Sequence, residues 1–413
     1  MDKELALLHK ITARTAQIGI IGMGYIGTSV ATETTTAGFT TIGFDINRER
    51  LNLLRQKQLP LLQLTHTSAD LRSCDIFIIC VPTPLTEMGK PDLSLLKKAT
   101  HTVSAVLHHN CLVVLESSVA PGTTRTIVQP LLEKSGFSVG KDLFISFSPE
   151  RIDPGSKQTM RAIPKVVSGA DQPSLKLAIA LYEKLVEKVV PVTSLDIAEL
   201  TKVLENTFRL VNINLINEMA QYADTIGIDI WEVIRAASTK PFGFLPHYPG
   251  TGAGGYCIPV LPTYLLEDAE KNHIPLPMVA QALKTNSFQP CYVVKRAFEI
   301  LQKYGKNGHS RILLTGITYK KDVADTRESA VLKVWKELEK QQAYVSYHDP
   351  HVPKFNGTTS LHLTKDLIKQ HDLVLVSTPH SDLDYQQIVD SEVPIFDIQN
   401  ALSHFQNEHI YKL

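Results

Sequence analysis

Cysteine is scarce in this chain, and its scarcity limits the kinds of site that the sequence can hold. The 413 residues include five cysteines, at positions 74, 80, 111, 257 and 291, and none of them is paired at metal-binding spacing. Few, odd-numbered and unpaired cysteines argue against a disulfide framework and are typical of a reducing compartment. We therefore expect a cytoplasmic protein with no metal site.

Net charge and long apolar runs are also absent. The 42 basic residues balance 42 acidic ones, so no overall field favours nucleic acid or an acidic membrane. No apolar stretch approaches the roughly 20 residues that span a bilayer, and the charged run over residues 1–15 lacks the core of a signal peptide. We expect neither a nucleic-acid partner nor a membrane association, so any phosphate has to be bound by local groups.

The chain does have the length and apolar content for more than one core, with 413 residues of which 43% are hydrophobic. In its first part, short apolar runs typical of buried parallel strands alternate with helical stretches. Strands are predicted over residues 17–22, 40–45, 75–81, 112–116 and 143–147, with a helix over 25–37. The alternation predicts a parallel doubly wound sheet.

The rest of the chain divides into a helical middle and a second α/β pattern. Asp196 is expected to cap a long helix that runs to about Ile226 and is closed by Gly227. The Pro/Gly-rich segment 241–262 is expected to form a loop between further helices. Strands are then predicted over residues 311–318, 344–347, 373–377 and, last, 395–398, with a helix over 329–341. The predicted fold is α/β, with two Rossmann-like doubly wound domains joined by a central long-helix region, divided into residues 1–195, 196–305 and 306–413.

Residues 22–27 read Gly-Met-Gly-Tyr-Ile-Gly, the pattern G-x-G-x-x-G between a predicted strand and a predicted helix. The first glycine allows a tight turn, the second admits a pyrophosphate, and the third lets helix and strand pack closely. Asp45 ends the next strand, where a carboxylate binds a ribose 2′-hydroxyl and repels a 2′-phosphate, so NAD is favoured over NADP. The alternative is a glycine turn kept for packing. The predicted NAD-binding residues here are Gly22, Gly24, Tyr25, Ile26, Gly27 and Asp45.

Two further segments follow predicted strands, at the edge where ligands bind in such sheets. Pro82 and Thr83 stand in Cys-Val-Pro-Thr-Pro, and Ser118 stands in Glu-Ser-Ser-Val-Ala-Pro-Gly-Thr-Thr after the next strand. Their hydroxyl and N–H groups are suited to position the cofactor or a water molecule. Ordinary Ser/Thr-rich turns with helix caps are the alternative.

Three charged or amide pairs are candidates for substrate chemistry. Residues 147–155 place Glu150 and Arg151 in a proline-bounded loop, where a partly buried carboxylate with a raised pKa can act as a base. Lys202 and Asn206 lie four apart on the long predicted helix and could stabilise an oxyanion together. Lys320 and Arg327 follow the first strand of the last domain, a position suited to binding a nucleotide diphosphate. The alternatives are a surface loop with an Arg–carboxylate pair, solvated helix positions and a solvated charged loop.

Cys257 stands in the turn Gly-Ala-Gly-Gly-Tyr-Cys-Ile-Pro over residues 252–259. Gly254 and Gly255 would let a ligand approach the thiol closely. A nucleophilic thiol beside a nicotinamide suggests oxidation through a thioester. A buried cysteine in a tight turn is the alternative.

In this order, the segments resemble the UDP-glucose/GDP-mannose dehydrogenases, a family of nucleotide-sugar C6-dehydrogenases, from about Gln17 to about Asn400. The most specific motifs are Pro-Glu at 149–150, Lys-x-x-x-Asn at 202–206, the Gly-Gly-x-Cys turn and Tyr-Lys-Lys-Asp at 319–322. Residues 81–86, 91–94, 148–151 and 257–259 look most like the branch that acts on UDP-N-acetylhexosamines. UDP-N-acetylglucosamine is the substrate that the resemblance favours, and UDP-glucose and UDP-N-acetylmannosamine are the alternatives.

The resemblance implies a four-electron oxidation of a primary alcohol to a carboxylate, with two NAD+ used for each UDP-sugar. Cys257 would form a thiohemiacetal and then a thioester, with its pKa lowered by Lys202, while Lys202 and Asn206 stabilise the oxyanions. Glu150 would act as base through a water molecule that Ser118 helps to hold. The implied substrate-binding residues are Glu150, Arg151, Lys202, Asn206, Gly254, Gly255, Lys320 and Arg327.

The resemblance also implies roles for the three segments. Residues 1–195 would bind NAD, residues 196–305 would carry the catalytic cysteine and mediate dimerisation, and residues 306–413 would bind the UDP-sugar. A homodimer or larger homo-oligomer is expected, and the uronate product would serve surface polysaccharide synthesis.

One position departs from the family pattern. Relatives generally carry an aspartate four residues after the cysteine, whereas this chain has Leu261. An apolar side chain cannot assist deprotonation, although His247 or Tyr248 nearby in the sequence could compensate. A non-catalytic nucleotide-sugar-binding homologue is therefore a further alternative, and an active enzyme with a changed rate or pH profile is the expectation.

Overall fold

The chain divides into two compact units, Met1–Glu205 with Thr263–Ile274, and Asn206–Pro262 with Pro275–Leu413. The computed structural model describes residues 3–56, 59–153, 155, 158–255 and 258–413. Over these ranges, no helix combines the length and the apolar character needed to cross a bilayer.

The described residues of the first unit form a sheet of eight strands in the order β3-β2-β1-β4-β5-β6-β7-β8. The strands are β1 Ile18–Ile21, β2 Thr41–Phe44, β3 Leu62–Thr65, β4 Ile76–Ile79, β5 Cys111–Leu115, β6 Leu143–Phe147, β7 Lys165–Gly169 and β8 Val189–Pro191. Strands β1 to β6 run parallel in the order of a dinucleotide-binding fold, which confirms the predicted sheet. β7 departs from the prediction because it runs antiparallel to β6.

The five predicted strands of this sheet, β1, β2, β4, β5 and β6, were recognisable because they are buried on both faces. Successive side chains of β4 enter opposite hydrophobic clusters, with Ile76 and Ile78 in one and Phe77 and Ile79 in the other. The helices that cover the two faces are α1 Lys3–Ala13, α2 Tyr25–Thr36, α3 Arg48–Arg55, α4 Ser94–Ser104, α5 Gln129–Glu133 and α6 Gln172–Leu185.

The long helix predicted for the middle of the chain is α7, Leu195–Thr225. Asp196 does not cap it, because it lies inside the first turn. The hydroxyl oxygen of Ser194 accepts a hydrogen bond from the N–H of Ile197 at 3.2 Å and performs the capping role instead. Gly227, with a φ of +74°, follows the end of the helix as expected.

Two shorter helices and one long helix follow: α8 Ile230–Ala237, α9 Val260–Lys271 and α10 Pro277–Lys303. The predicted loop over residues 241–262 is therefore three residues too long, since Val260, Leu261 and Pro262 form the first turn of α9. A proline is tolerated in a first turn because no intrahelical partner is needed there for its missing N–H.

The second unit contains, within the part of the chain that is described, a sheet of five parallel strands in the order β10-β9-β13-β14-β15. Its strands are β9 Arg311–Thr315, β10 Tyr344–His348, β13 Leu373–Val376, β14 Ile395–Asp397 and β15 Ile410–Lys412, and a small hairpin pairs β11 Lys354–Phe355 with β12 Thr358–Thr359. The covering helices are α11 Ala330–Lys340, α12 Lys365–Ile368 and α13 Tyr385–Val389. The prediction that residues 395–398 form the last strand is wrong, because the half-buried β15 follows.

Candidate active site

The glycine loop over residues 22–27 joins β1 to α2, and its three glycines meet three different steric demands. Gly22 has a φ of +94°, in the left-handed region that favours glycine. A Cβ on Gly27 would lie 1.9 Å from the carbonyl oxygen of Gly22, so only glycine lets the helix approach this closely. A Cβ on Gly24 would meet nothing within 4 Å, which leaves the loop open on that side. The loop therefore combines a tight turn with an open backbone face.

Asp45 follows β2 and is joined to the glycine loop by hydrogen bonds. Its Oδ2 accepts from the N–H of Met23 at 2.8 Å, and its Oδ1 accepts from the N–H of Asn47 at 2.8 Å. Nε of Arg50 donates to the carbonyl oxygen of Met23 at 2.8 Å. The predicted ribose-binding carboxylate therefore lies against the predicted pyrophosphate loop.

The loops after β4 and β5 meet at the carboxyl edge of the same sheet. The Thr83 hydroxyl donates to the carbonyl oxygen of Ser118 at 2.6 Å. The hydroxyl of Tyr264, which no sequence motif singled out, donates to the carbonyl oxygen of Thr83 at 3.1 Å. The structure thus brings Thr83 and Ser118 together and leaves Pro82 exposed.

Glu199 of α7 fixes the loop that follows β5, and sequence reasoning missed it. Its buried carboxylate accepts from the N–H of Gly122 at 2.5 Å, the N–H of Thr124 at 2.8 Å and the hydroxyl of Thr124 at 2.6 Å. Burial raises the pKa of Glu199 to about 7, although these hydrogen bonds act to lower it. A group that titrates near neutral pH therefore holds the segment just after Ser118.

Glu150 lies in the loop after β6 and is buried, with 6% of its surface exposed. Its Oε1 accepts from the N–H of Arg151 at 2.8 Å and from the N–H of Ile152 at 2.6 Å. Its Oε2 accepts from the ammonium of Lys165 at 2.6 Å. Three donors therefore hold the carboxylate that was predicted to act as a base.

The antiparallel direction of β7 explains why Lys165 lies beside Glu150. Because β7 runs opposite to β6, it begins at the edge where β5 and β6 end. Lys165 opens β7, while Glu116 follows β5 and Glu150 follows β6. Nζ of Lys165 lies 3.1 Å from Oε2 of Glu116 and 2.6 Å from Oε2 of Glu150, and the buried hydroxyl of Tyr182 donates to Glu116. A buried cluster of one ammonium and two carboxyl groups results.

Charges within this cluster set the protonation of Glu150. Burial acts to raise the pKa of Glu150, but the Lys165 ammonium and the amide hydrogen bonds outweigh it and hold the pKa below its ordinary value. Burial raises the pKa of Glu116 despite Lys165, and the charge of Glu150 adds to that rise. The expectation of a raised pKa for Glu150 is therefore wrong, because a buried ammonium reverses the effect of burial.

Arg151 is engaged within its own unit. Its Nη2 forms an ion pair with Oε1 of Glu205 at 2.7 Å, and its Nη1 donates to the carbonyl oxygen of Pro164 at 2.8 Å. This geometry matches the alternative of a loop with an Arg–carboxylate pair. A substrate role for Arg151 requires that the guanidinium share its donors with these partners.

Lys202 and Asn206 lie on the side of α7 that also carries Glu199, at helical spacing. Lys202 is 9% exposed and Asn206 is 4% exposed, so they are not the solvated positions of the alternative interpretation. Among the described residues, Nδ2 of Asn206 has no hydrogen-bond partner and the Lys202 ammonium has no ion-pair partner. A buried amide nitrogen left unpaired, as in Asn206, is rare without a ligand or water to satisfy it.

The predicted nucleophile, Cys257, lies outside the described residues together with Tyr256. Three other cysteines are buried, and burial raises the pKa of Cys74 and of Cys111 to about 12 and that of Cys80 well above its ordinary value. Cys291 is exposed on α10. The raised pKa values make these buried thiols poor nucleophiles. None of the three is therefore a better candidate for the nucleophile than Cys257.

The glycines before Cys257 make room for the segment that carries Lys320 and Arg327. Gly255 has a φ of +80°, and a Cβ there would lie 2.7 Å from the ring of Tyr319. A Cβ on Gly254 would lie 2.8 Å from the carbonyl oxygen of Glu328. Two segments that the sequence singled out separately are thus packed together in the second unit.

The end of that segment is fixed by a local ion pair. Nη2 of Arg327 lies 2.6 Å from Oδ2 of Asp325, and its Nε donates to Oδ1 of Asp325 at 3.0 Å. Arg327 remains more than half exposed. Its guanidinium is therefore oriented by Asp325 at an exposed position.

Three segments of the chain match the three domains of one protein family. Residues 16–186 match the NAD binding domain of the UDP-glucose/GDP-mannose dehydrogenase family, residues 196–287 its central domain, and residues 313–404 its UDP binding domain. Protein CapL of Staphylococcus aureus is 36% identical over 412 residues, which cover 94% of this chain and 96% of CapL. The chain belongs to the UDP-glucose/GDP-mannose dehydrogenase family.

Two further members of this family are similar over most of their length. UDP-N-acetyl-D-glucosamine 6-dehydrogenase of Pseudomonas aeruginosa is 34% identical over 388 residues, which cover 89% of this chain and 91% of that protein. The structure of UDP-D-ManNAc dehydrogenase from Pyrococcus horikoshii has a TM-score of 0.86 at 29% identity and covers 96% of this chain and 98% of that chain. The predicted family and α/β fold are confirmed.

Family membership makes the chain an NAD-dependent nucleotide-sugar dehydrogenase, an oxidoreductase, as the sequence predicted. The first unit fits NAD on its own geometry. The first turn of α2 has no side-chain cap, so its N–H groups remain available to a pyrophosphate beside the open face of Gly24. The carboxylate oxygens of Asp45 keep acceptor capacity for a ribose hydroxyl beyond their two amide hydrogen bonds.

Proposed function

We propose that this family member oxidises the C6 hydroxyl of a UDP-N-acetylhexosamine to a carboxylate, with UDP-N-acetylglucosamine as the substrate. The similarity to a UDP-N-acetyl-D-glucosamine 6-dehydrogenase and a UDP-D-ManNAc dehydrogenase supports this substrate class. Within the chain, the observation that carries the proposal is the pair Lys202 and Asn206: both residues are buried, and the side-chain nitrogen of Asn206 has no hydrogen-bond partner in the described part of the chain. Donors of this kind stabilise the alkoxides through which such an oxidation passes.

The proposed reaction uses two oxidations and one hydrolysis. NAD+, which the glycine loop and Asp45 would hold, would supply the hydride acceptor for C6 in both oxidations. Between them, the thiolate Sγ of Cys257 bonds to the aldehyde carbon and gives a thiohemiacetal, which the second oxidation converts to a thioester. Water then attacks the acyl carbon, the C–S bond breaks and the thiolate is restored. One alcohol, two NAD+ and one water give one carboxylate, two NADH and three protons.

The side chains divide the remaining work. Lys202 and Asn206 donate to the oxygen on C6 while it carries negative charge, and Lys202 favours the thiolate of Cys257. Glu150 accepts a proton from the attacking water, since its lowered pKa keeps it ionised at neutral pH. Ser118 helps to hold that water. We assign contacts with the UDP-sugar to Glu150, Arg151, Lys202, Asn206, Gly254, Gly255, Lys320 and Arg327.

We also propose that three segments of the chain have separate roles. Residues 1–195 bind NAD, residues 196–305 supply the cysteine turn and a subunit interface, and residues 306–413 bind the UDP-sugar. The matches to NAD-binding, central and UDP-binding domains support these roles.

An apolar stripe on α7 supports a homodimer. Its members share one side of the helix within an arc of about 100°, opposite the side that carries Lys202 and Asn206. Each member is 42–65% exposed. They are Ile197, Leu200, Leu204, Phe208, Leu215, Met219 and Tyr222. Contiguous exposed apolar surface of this extent marks an interaction site. A second copy of the chain fits it best, because one helix face is self-complementary about a twofold axis.

One position favours a second candidate function, a nucleotide-sugar-binding homologue without turnover. Leu261 replaces the family's usual aspartate and is 1% exposed in the first turn of α9, so it offers no proton acceptor. The sequence also suggested His247 or Tyr248 as substitutes, and the structure engages Tyr248 in stacking with Trp231 at 5.9 Å.

A substrate panel distinguishes these functions. Purified protein with NAD+ is tested against UDP-GlcNAc, UDP-ManNAc, UDP-GalNAc and UDP-glucose, and kcat/KM is measured for each. The proposal expects UDP-GlcNAc to give the highest value and the C6 uronate as product. A higher value for UDP-ManNAc or UDP-glucose would reassign the substrate, and binding of all four without NADH formation would establish the non-catalytic homologue.

A further inference from the structure

Three loops of the second unit bring two histidines and two aspartates together at the carboxyl edge of its sheet. Asp322 lies in the loop after β9, His351 follows β10, and His380 and Asp382 follow β13. One ligand atom of each residue lies within 4.8 Å of those of the others. The expectation of no metal site rested on the cysteines alone and did not consider this cluster.

The separations within the cluster suit one small ion. Nε2 of His351 lies 3.5 Å from Oδ1 of Asp382 and 3.9 Å from Oδ1 of Asp322. Nδ1 of His380 lies 3.8 Å from Oδ1 of Asp322. Bonds of about 2.0–2.1 Å to a tetrahedral zinc-type ion place its ligand atoms about 3.4 Å apart. These three pairs therefore need to close by about half an ångström or less, and the remaining pairs lie within 4.8 Å.

His351 presents a ring nitrogen that no hydrogen bond engages within the described residues. Its Nε2 is shielded from solvent and has no hydrogen-bond partner among the described residues, although two carboxylates face it. A buried polar atom left in this way calls for a partner. The carboxylate of Asp322 is aimed by Ser381, whose N–H and hydroxyl both donate to it at 2.7 Å.

His380 has the supporting hydrogen bond that metal-binding histidines share. It is fully buried, and its Nε2 lies 3.2 Å from Oδ2 of the buried Asp349. A carboxylate on one ring nitrogen fixes the proton there and leaves the lone pair on the other. That other nitrogen, Nδ1, faces Asp322 and accepts its N–H at 3.0 Å, so ligation by His380 requires that this amide turn away.

We propose that Asp322, His351 and Asp382 bind a divalent transition-metal ion of the zinc type, with Nδ1 of His380 as the fourth ligand. Imidazole nitrogen with carboxylate oxygen is a donor set that such ions accept. The ion joins the loops after β9, β10 and β13 and so stabilises the carboxyl edge of the second sheet. This role is independent of turnover and does not rest on the proposed substrate.

The test is a titration of the untagged full chain, stripped with a chelator and dialysed, with Co2+ as the probe. We expect one Co2+ per chain, with the visible absorption of nitrogen and oxygen ligands and without a thiolate-to-cobalt charge-transfer band. His351→Ala and Asp382→Asn should each weaken binding at least ~10-fold, the lower end of the effect of disturbing a ligand's support. The exposed His362 provides the control, and His362→Gln should bind like the unaltered chain.

A second readout separates a metal clamp from incidental binding. The Tm should rise with added Co2+ or Zn2+ in the unaltered chain and in His362→Gln, but not in His351→Ala, whose position is partly exposed and tolerates truncation. Absence of Co2+ binding would overturn the proposal. Binding that shows a thiolate band, or that survives both His351→Ala and Asp382→Asn, would equally overturn it by locating the ion elsewhere.

Discussion

Lys165 is the residue whose charge decides the state of the proposed base. It is buried between Glu116 and Glu150, and its ammonium holds the pKa of Glu150 down although burial acts to raise it. Removal of one partner from a buried ion pair is costly because the other charge is left uncompensated. At the residue scale, Lys165 is therefore a positioning residue that acts through Glu150.

Lys165→Met should lower the free energy of unfolding by about 3–5 kcal/mol and raise the pKa of Glu150. If Glu150 must be ionised for turnover, acidification will abolish the activity of Lys165→Met at a higher pH than that of the unaltered chain. Thermal unfolding and the pH dependence of kcat measure the two effects. Lys188→Met, at an exposed lysine, is the matched control. If Lys165→Met changes neither the Tm nor the pH at which kcat falls on acidification, Lys165 does not set the pKa of Glu150.

At the residue scale, Leu261→Asp also tests the position where this chain has a leucine in place of the family's usual aspartate. Because Leu261 is 1% exposed, an aspartate there should cost on the order of 3 kcal/mol. Leu261→Met keeps the volume and should cost less than about 1.5 kcal/mol. Differential scanning fluorimetry and the initial rate of NADH formation are measured for both. A stable Leu261→Asp with a faster rate would mean that the position accepts a charge and that the leucine limits catalysis.

At the scale of elements, most strands that the sequence predicted are buried on both faces, whereas β7 is buried throughout and was missed because Lys165, Ser168 and Gly169 interrupt its apolar run. β6 was predicted with its observed ends because every residue from Leu143 to Phe147 is buried. β8 and β15 are only half-buried and lack a continuous apolar run, so no pattern marked them. The cap of α7 was assigned two residues too late because Ser194 and Asp196 both suit the role chemically. The strand direction of β7 depends on tertiary pairing that no local pattern encodes.

The contact between α7 and the loop after β5 should make stability depend on pH. The folded pKa of Glu199, about 7, lies above its ordinary value of 4.5, so folding takes up a proton between these values. The stabilisation is present below the ordinary pKa and is lost as the pH rises through about 7, by at most roughly 3 kcal/mol. Glu199→Gln cannot titrate and should flatten the change in Tm between pH 5 and pH 8.

Glu187→Gln, at an exposed glutamate, is the control for that measurement and should retain the pH dependence of the unaltered chain. The glutamine amide would also face the N–H of Gly122, so Glu199→Gln should be less stable at both pH values. Parallel Tm profiles for the unaltered chain and Glu199→Gln would contradict the assignment.

At the scale of the whole molecule, the site was predictable where its signals are local in sequence. The glycine loop and Asp45 follow from one motif with its flanking strands. Lys165, Glu199 and Tyr264 were missed because they reach their partners across 15, 75 and 181 residues. The sign of the pKa shift at Glu150 was also mispredicted, since it depends on a lysine that only the folded sheet brings near.

The apolar stripe on α7 predicts the oligomeric state. Leu204→Glu places a charge on the most exposed leucine of the stripe and should convert a dimer to a monomer without a large loss of Tm. Size-exclusion chromatography with light scattering measures the mass. Leu53→Glu, at a similarly exposed leucine of α3, should leave the dimer intact. A monomeric unaltered chain, or a Leu204→Glu dimer of undiminished affinity, would exclude this interface.

The most direct test of the central claim is the number of NADH molecules formed for each UDP-sugar consumed. The proposed four-electron oxidation predicts two NADH and one uronate per sugar in the unaltered chain. It also predicts that Cys257→Ser fails to reach this full stoichiometry, because no thioester can form. A ratio of one NADH with the sugar released as an aldehyde, or full oxidation by Cys257→Ser, would contradict the account.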